Sequence, residues 1–462
     1  MGQALAKDVL VVVDPASTGA MLVLEANARK VPVVCVWSDA CGEEMKTHTP
    51  PAAKDITFVA VLEEGGLAIE KLAALVKASA VTAAGSLATA VLAGSETGVR
   101  LADKLADALR LPGNGGDSSD KRRDKHSQQE AVRAAGARAI KQALCTSLED
   151  VNAFLDTFGD APVDVILKPT ESAGSDGVAR CRSRAEARAH FETLFGAINV
   201  CGAMNESVLA QEFISGTEYV VDHVSKGGKH HTACVWEYEK RVVNGATAPI
   251  VYFGQSVVDP SSELAQKLIA YTRLCLDAIG LREGPSHGEV MMTADGPCLV
   301  EMNCRIHGNC GAWIPSATAA LRATQVTLAL DGALRGGQAL KAAPDAPSGL
   351  ERAAGMVMLV SYFEGVIAAA PGYAAIRALP SFAAEQLHLQ PGDALIKSVD
   401  CCSIAGNVTL IHESQEQIAA DYAAIRALEE APGALWALEP NGAKHEDFKM
   451  LKVKGKSLSF RE

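Results

Sequence analysis

The sequence lacks the features that would carry a chain into or across a membrane. No stretch reaches 18 unbroken apolar residues, and the N-terminal residues do not form a charged region followed by an apolar one. No repeat with a period of about 20–50 residues appears, so a repeat architecture is excluded. From these absences we expect a soluble, cytoplasmic protein.

The twelve cysteines include no paired CxxC sets. A chain of 462 residues can bury a large apolar core and does not need disulfide bonds to stabilise it. The cysteines are therefore predicted to be reduced and mostly buried thiols.

Positive charge is scarcer than negative charge. With 43 Lys and Arg residues against 55 Asp and Glu residues, the formal net charge is -12. Such a chain repels nucleic acid and anionic lipid. We expect neither as a partner, and any polyanion that binds must be held by local cations.

Strands and helices alternate along the first 117 residues. Residues 8–13 are predicted to form a strand, followed by a loop, a helix and a second strand over residues 31–37. The alternation continues with strands at residues 56–62 and 80–84, and with helices at residues 67–78 and 86–111. This pattern is typical of a parallel α/β sheet.

Turn-forming residues at positions 112–119 predict the end of a first domain, which spans residues 1–117. The pattern of strands, helices and glycine loops that follows predicts a unit at residues 118–205, a second at 206–335 and a C-terminal mixed β/α domain at 336–462. A helix begins within the charged stretch at residues 120–126, which is either a solvated face or part of a site.

A strand that ends in Lys168 leads into a loop of small residues. The loop includes Ser172, Gly174, Ser175 and Gly177. Small residues let backbone N–H groups approach an anion, and the lysine adds a point charge, so the pattern favours a phosphate site. The spacing fits neither a Walker A loop nor a dinucleotide fingerprint. The alternative is a plain hairpin loop with an incidental lysine.

A second segment joins two strands through a glycine turn. It contains Gln211, Glu212, Phe213 and Ile214, with Glu218 after the turn. Backbone groups of such a connection can bind the edge of a purine, and a carboxylate can accept from ribose hydroxyls. The alternative is a hairpin with exposed acids.

A third segment places two acidic residues on strands that a tight turn connects. Glu289 and Glu301 should lie near each other, with Asn303 and Arg305 on the same face as Glu301. Facing like charges are costly unless a cation lies between them, so the hairpin predicts a Mg²⁺ site. The alternative is an edge hairpin with solvated charges.

These three elements in this order, preceded by Lys125, resemble the ATP-grasp superfamily over residues 118–330. The resemblance implies an N-terminal Rossmann-like domain, a nucleotide held between two α+β lobes and a C-terminal mixed β/α domain. It also implies ATP with two Mg²⁺ ions, for which Mn²⁺ can substitute. Lys125 and Lys168 would hold phosphates, the 172–177 loop would cover them, residues 211–214 would surround adenine and Glu218 would bind ribose. Glu289, Glu301 and Asn303 would bind the metal ions, and Arg305 would stabilise an acyl phosphate.

Within this superfamily the chain looks most similar to L-amino acid ligases, including carnosine-synthase-like members. The similar residues include His287 before the first metal strand and the run from Glu301 to Gly308. The resemblance implies an ADP-forming ligase that joins a small carboxylate to an amine, and it suggests a homodimer. His287 either orients a substrate or supports the metal ligands. Trp313 either forms a pocket wall or belongs to the core.

Two other functions are open at this point. An ATP-grasp enzyme can activate a different acid, as purine-pathway enzymes and carboxylases do, although the chain has no Met-Lys-Met biotin-carrier segment. A nucleotide-binding regulator with an inactive site is the other alternative, but it would not need to keep every phosphate and metal group.

Overall fold

The computed structural model describes residues 8–172, 174–246, 248 and 250–439. None of the helices within these ranges is both long and apolar enough to cross a lipid bilayer. The chain divides into two compact units. The first contains Met1–Val235, Asp259–Gly311 and Ala323–Ser348, and the second contains Trp236–Val258, Ala312–Arg322 and Gly349–Glu462. This division does not test the four predicted domain boundaries, which stay a prediction.

The first unit begins with a parallel sheet in the strand order β3-β2-β1-β4. The strands are β1 (Leu10–Val13), β2 (Val33–Trp37), β3 (Ala60–Glu63) and β4 (Ala90–Ala93), and the helices are α1 (Gly19–Ala28), α2 (Glu43–Lys46), α3 (Ile69–Ala84) and α4 (Val99–Leu109). Strand β1 is a fully buried run of Leu and Val, as expected for a parallel sheet covered on both faces. The predicted Rossmann-like N-terminal part is confirmed.

The strand predicted at residues 80–84 is wrong. These residues are the last turn of α3, which ends at Gly85 in the left-handed conformation with φ 68°. The strand lies later, at β4, within a stretch predicted to be helical. Alanine favours helix and a left-handed glycine is a common helix end, so the helix continues through the β-branched Val81 and Thr82.

An antiparallel sheet follows in the first unit, in the order β5-β8-β6-β7. Its strands are β5 (Gln142–Cys145), β6 (Val165–Pro169), β7 (Ala179–Cys181) and β8 (Val208–Glu212), accompanied by the helices α5 (Lys125–Ala134), α6 (Leu148–Asp156) and α7 (Arg184–Leu194). Residues of α6 and α7 form one apolar core with this sheet. Serine side chains cap both helices, Ser147 for α6 and Ser183 for α7.

The next strands are β9 (Thr217–Lys226), β10 (Lys229–Arg241), β11 (Val251–Val257), β12 (Glu283–Thr293) and β13 (Gly296–Asn303). In the first unit, β12 lies between β9 and β13 and pairs antiparallel with both. Strand β10 contributes residues 229–235 to this unit, and β11 belongs to the second unit. The helices that follow in the chain are α8 (Glu263–Ala278), α9 (Ile314–Leu321), α10 (Gln325–Ala333) and α11 (Gln338–Ala342).

The second unit contains α9 and the remaining elements. These are the strands β14 (Ala353–Leu359), β15 (Gly365–Ala369), β16 (Phe382–Leu387), β17 (Ala394–Leu395), β18 (Gly406–His412) and β19 (Ala437–Leu438), with the helices α12 (Pro371–Arg377) and α13 (Gln415–Glu430). Strands β11, β14, β18 and β16 are neighbours in that order, and β17-β15-β19 form a small sheet. The predicted mixed β/α character of the C-terminal part is confirmed, while residues 440–462 lie outside the described ranges.

All twelve cysteines are free, and eight of them are buried. Trp313, in the second unit, is fully buried and packs edge-to-face on Trp236 at a ring separation of 6.2 Å. The prediction that most cysteines are buried is therefore confirmed, and of the two interpretations of Trp313 the structure favours the core.

The turn between β8 and β9 depends on the absence of a side chain at Gly216. A Cβ atom at this position would lie 2.1 Å from the carbonyl oxygen of Met292 in β12. Because that oxygen belongs to the backbone, Gly216→Ala is expected to lower the free energy of unfolding by about 1–3 kcal/mol. Thermal unfolding followed by circular dichroism checks this. Gly42→Ala is the matched control, since a Cβ there meets nothing within 4 Å; equal melting temperatures for the two variants would contradict the prediction.

Candidate functional site

Lys168 lies in β6 among charged residues from several elements. It is buried, with 6% of its surface exposed. Burial lowers the pKa of its ammonium group to about 8, and the neighbouring positive charge of Lys125 acts in the same direction. The carboxylates of Glu301, Glu289 and Glu218 oppose this shift because they favour the charged form. Two lysines and three carboxylates predicted from four separate segments therefore lie in one place.

Lys125, the first residue of α5, contacts both the β12–β13 hairpin and the loop after β6. Its Nζ lies 2.8 Å from Glu301 Oε1 and donates to the carbonyl oxygen of Ser172 at 3.1 Å. The side chain of Asp124 caps the helix by accepting from the backbone N–H of Ser127. The charged stretch at residues 120–126 is therefore not a wholly solvated face, since Arg122, Arg123 and Lys125 are all buried.

Two glutamines fix α5 on strand β13. Gln128 Nε2 donates to the carbonyl oxygen of Met302 at 2.7 Å, and Gln128 Oε1 accepts from the backbone N–H of the same residue at 3.0 Å. Gln129 Nε2 donates to the carbonyl oxygen of Leu299 at 2.7 Å. These bonds hold the helix start, and with it Lys125, over the strand that carries Glu301.

The predicted hairpin carboxylates face each other. Glu289 in β12 is the register partner of Glu301 in β13, with a bulge directly after Glu289. One terminal atom of the Asn303 amide lies 3.3 Å from Glu301 Oε1 and 3.1 Å from Glu96 Oε2. As nitrogen this atom would donate to both carboxylates, and as oxygen it would need a cation between them. Glu289 and Glu301 therefore offer the hard oxygen donors that suit Mg²⁺, and the Asn303 amide lies directly beside Glu301.

The loop after β6 has a backbone suited to anions. Gly174, Ser175 and Gly177 adopt left-handed conformations with φ of 65°, 59° and 66°. Turns of this kind direct successive N–H groups to one side. Ser172 Oγ donates to Asp176 Oδ2 at 2.8 Å, which closes the loop on itself. Ala173 lies outside the described residues.

The segment from Gln211 to Glu218 connects β8 with β9. Gln211 Nε2 donates to Gln142 Oε1 at 3.0 Å, and Glu212 Oε1 accepts from the backbone N–H of Lys141 at 2.8 Å. The guanidinium of Arg180 lies 3.5 Å from the ring centre of Phe213. Ile214 is half-buried, and Glu218 lies in β9 opposite Met291. The side chains of residues 211–213 thus have partners in the protein, and the backbone N–H groups of Glu212 and Phe213 donate to the carbonyl oxygens of Lys141 and Asp164.

Arg305 has a carboxylate partner that the sequence analysis missed. Its Nε donates to Glu96 Oε2 at 3.1 Å, and Glu96 follows β4 in the N-terminal sheet. The two residues are 209 positions apart. No local pattern marks Glu96, although its place after the carboxyl end of a parallel strand is where such sheets carry functional residues.

His287 belongs to a buried hydrogen-bonded group that includes two unpredicted residues. Its Nδ1 lies 3.0 Å from Asp222 Oδ1, and Nδ1 of His307 lies 2.9 Å from Asp222 Oδ2. Burial alone would raise the pKa of Asp222, but the two histidines lower it far below its usual range. Burial lowers the pKa of His307 to about 4. Burial also acts to lower the pKa of His287, but hydrogen bonds to Asp222 and Glu289 outweigh burial, and the pKa of His287 is raised. The group fixes both rings beside the hairpin.

Comparisons with known proteins show which family the chain resembles. Residues 161–313 match the family model described as the ATP-grasp domain. Dapdiamide A synthase of Enterobacter agglomerans is 32% identical over 343 residues, which are 74% of this chain and 79% of that protein. Alanine–anticapsin ligase of Bacillus subtilis is 28% identical over 237 residues, which are 48% of this chain and 49% of that protein.

A solved structure extends the likeness to nearly the whole chain. The crystal structure of L-amino acid ligase from Bacillus licheniformis superposes with a TM-score of 0.69 at 15% identity, over 92% of this chain and 98% of that chain. This likeness concerns the fold. The predicted resemblance is confirmed, and with a relative 32% identical across most of its length, the chain belongs to the ATP-grasp family of ligases.

Proposed function

We propose that this enzyme is an ATP-dependent carboxylate–amine ligase that joins amino-acid-like substrates into an amide and releases ADP and phosphate. The observation that carries the proposal is the group formed by Lys125, Lys168, Glu218, Glu289 and Glu301. Buried ammonium groups beside paired carboxylates suit a nucleotide triphosphate with its metal ions. The names of the relatives, a dapdiamide synthase and an alanine–anticapsin ligase, support amide formation between amino-acid-like molecules.

In the proposed site, each part of the nucleotide has its own residues. Lys125 and Lys168 hold phosphates, and the loop with Ser172, Gly174, Ser175 and Gly177 covers them. The backbone of residues 211–214 borders adenine, and Glu218 accepts from the ribose hydroxyls. Glu289, Glu301 and Asn303 hold two Mg²⁺ ions, with Mn²⁺ as a substitute.

The proposed reaction has two steps. A substrate carboxylate attacks the γ-phosphate in line to give an acyl phosphate and ADP, and an amine then attacks the acyl carbonyl and releases phosphate. Bound Mg²⁺ supplies charge stabilisation at the transferring phosphoryl group. Lys125 and Lys168 add fixed positive charge, and the Arg305 guanidinium holds the acyl phosphate. His287, held by Asp222 at one ring nitrogen, faces Glu289 with the other and orients that carboxylate for metal binding.

Three further features belong to the same proposal. The chain consists of an N-terminal domain at residues 1–117, two ATP-grasp lobes at 118–205 and 206–335, and a C-terminal domain at 336–462. It forms a homodimer and works in the cytoplasm.

A phosphate-release screen over pairs of amino acids, with product identification by mass spectrometry, tests the reaction. We expect ADP and phosphate to form only when a productive pair is present, together with a product whose mass equals the pair less one water. Glu301→Gln serves as the blank. Formation of AMP and pyrophosphate would overturn the proposal, and so would release of ADP and phosphate from every pair without any product that joins the two substrates.

A further inference from the structure

Two arginines share one buried carboxylate next to the site. Glu96 is 8% exposed and Arg123 is 5% exposed. Arg305 Nε lies 3.1 Å from one oxygen of Glu96, and a terminal nitrogen of Arg123 lies 3.6 Å from the other. Two guanidinium cations thus face a single carboxylate, and this arrangement has one positive charge in excess.

Arg123 lacks a hydrogen-bond partner at one of its terminal nitrogens. This buried Nη1 atom is the nitrogen that lies 3.6 Å from Glu96 Oε1, a distance too long for a hydrogen bond, and within the described part of the chain it makes no hydrogen bond. Other carboxylates near it are already engaged, since Glu171 forms a two-bond ion pair with Arg100 and Glu301 pairs with Lys125. Burial lowers the pKa of Arg123, but the carboxylates around it outweigh burial and raise the pKa, so the group stays charged. A buried charged donor without an acceptor is costly unless a ligand satisfies it.

Arg123 and Lys125 have different carboxylate partners. Lys125 and Lys168 lie next to the hairpin carboxylates, whereas Arg123 pairs with Glu96, which follows strand β4 of the N-terminal sheet. Glu96 also holds Arg305. An anion on Arg123 and a cation on Glu96 would therefore sit within reach of the group that holds the acyl phosphate.

A zwitterion has the charges that match this pair. The guanidinium fork binds a carboxylate through two parallel hydrogen bonds, and a carboxylate such as Glu96 binds an ammonium group. An amino acid used as the amine substrate keeps its own carboxylate throughout the reaction and needs a cation to hold it. We infer that Arg123 anchors the free carboxylate of the amine substrate and that Glu96 holds its ammonium group beside Arg305.

This inference rests on the proposed ligase function and narrows its substrate class. The amine substrate is an amino acid with a free carboxylate, and a simple amine or an amino acid amide is a poor replacement. Arg123 then determines specificity for that substrate and has no part in binding ATP.

The test compares acid and amide forms of the amine substrate. Phosphate release is measured with each amino acid that the wild-type enzyme accepts as amine and with its carboxamide, for example alanine against alaninamide. The carboxamide keeps the ammonium group and replaces the charged carboxylate with a neutral group. We expect the wild-type kcat/KM to favour the acid by about 10- to 100-fold, as hydrogen bonds to a charged group imply.

Arg123→Gln should remove this preference through a higher KM for the acid, while kcat/KM for the amide changes less than about threefold. Arg123→Lys should restore part of the preference, because it restores the charge without the fork. Glu96→Gln should weaken acid and amide alike and leave their ratio unchanged. A purely structural role of Arg123 would weaken both substrates equally.

Several results would overturn the inference. One is a wild-type kcat/KM that is equal for the acid and the amide, and this comparison needs no variant. Another is an Arg123→Gln enzyme that keeps the preference and instead shows a raised KM for ATP, which would assign the guanidinium to a phosphate. If the wild-type enzyme formed no ADP with any pair, the proposed function itself would fail and this inference with it.

Discussion

Replacing Glu301 with glutamine is expected to lower kcat of ligation by about 100- to 1,000-fold, the usual effect of removing one preorganised charged group from such a site. Glu301 is the register partner of Glu289 and the ion-pair partner of Lys125. The substitution removes one of the two facing carboxylates, which weakens metal binding. It also leaves the positive charges of Lys125 and Lys168 with less compensation. Steady-state phosphate release as a function of Mg²⁺ concentration measures both effects.

The matched control for this variant lies on the same hairpin. Asp295→Asn makes the same chemical change in the exposed turn between β12 and β13, where the carboxylate only pairs with Arg138 at 3.6 Å. This variant should keep the wild-type kcat and Mg²⁺ dependence. If Glu301→Gln retained more than half of the wild-type rate with an unchanged Mg²⁺ dependence, the metal role of Glu301 would be ruled out.

Lys168→Met is the second substitution with a large expected effect, a fall in kcat/KM for ATP of about 100-fold or more. The wild-type enzyme should also show a pH dependence that originates at this residue. Burial lowers the pKa of Lys168 to about 8, so the ammonium form that binds phosphate is present below that pH and is lost as the pH rises through it. Above the pKa, kcat/KM for ATP should fall by up to about tenfold per pH unit.

A substitution that keeps the charge separates this titration from other effects. Lys168→Arg carries a cation that does not titrate in this range, so its pH profile should stay flat between about pH 7 and about pH 9.5, whatever its absolute rate. Lys125→Arg should leave the alkaline fall in place. A flat wild-type profile over the same range would contradict the assignment of the titration to Lys168.

The parts of the site that follow from local patterns could be predicted from the sequence. Two alternating strands and a tight turn bring Glu289 opposite Glu301 wherever the hairpin lies in the fold. The position of Lys168 near the end of a strand, followed by a loop of small residues, could be predicted from the sequence in the same way. Their roles in binding stay predictions until the substitutions are measured.

Contacts between distant segments could not be predicted in this way. The bond between Glu96 and Arg305 spans 209 residues, and the bonds of Asp222 to His287 and His307 span 65 and 85 residues. They depend on how separate elements pack, which no periodicity records. The error at residues 80–84 has a different origin, because alanine-rich sequence with two β-branched residues fits a strand or a helix until the end of the helix is known.

The hydrogen bond between Glu96 and Arg305 also limits how far the chain can be truncated. A fragment cut to the matched ATP-grasp region, residues 161–313, would omit Glu96, Arg123 and Lys125. Its arginine at position 305 would lose the carboxylate that orients it, and its glutamate at position 301 would lose its ammonium partner. A minimal active fragment must therefore begin upstream of β4, and recombination between relatives should keep an acidic residue after that strand together with the arginine.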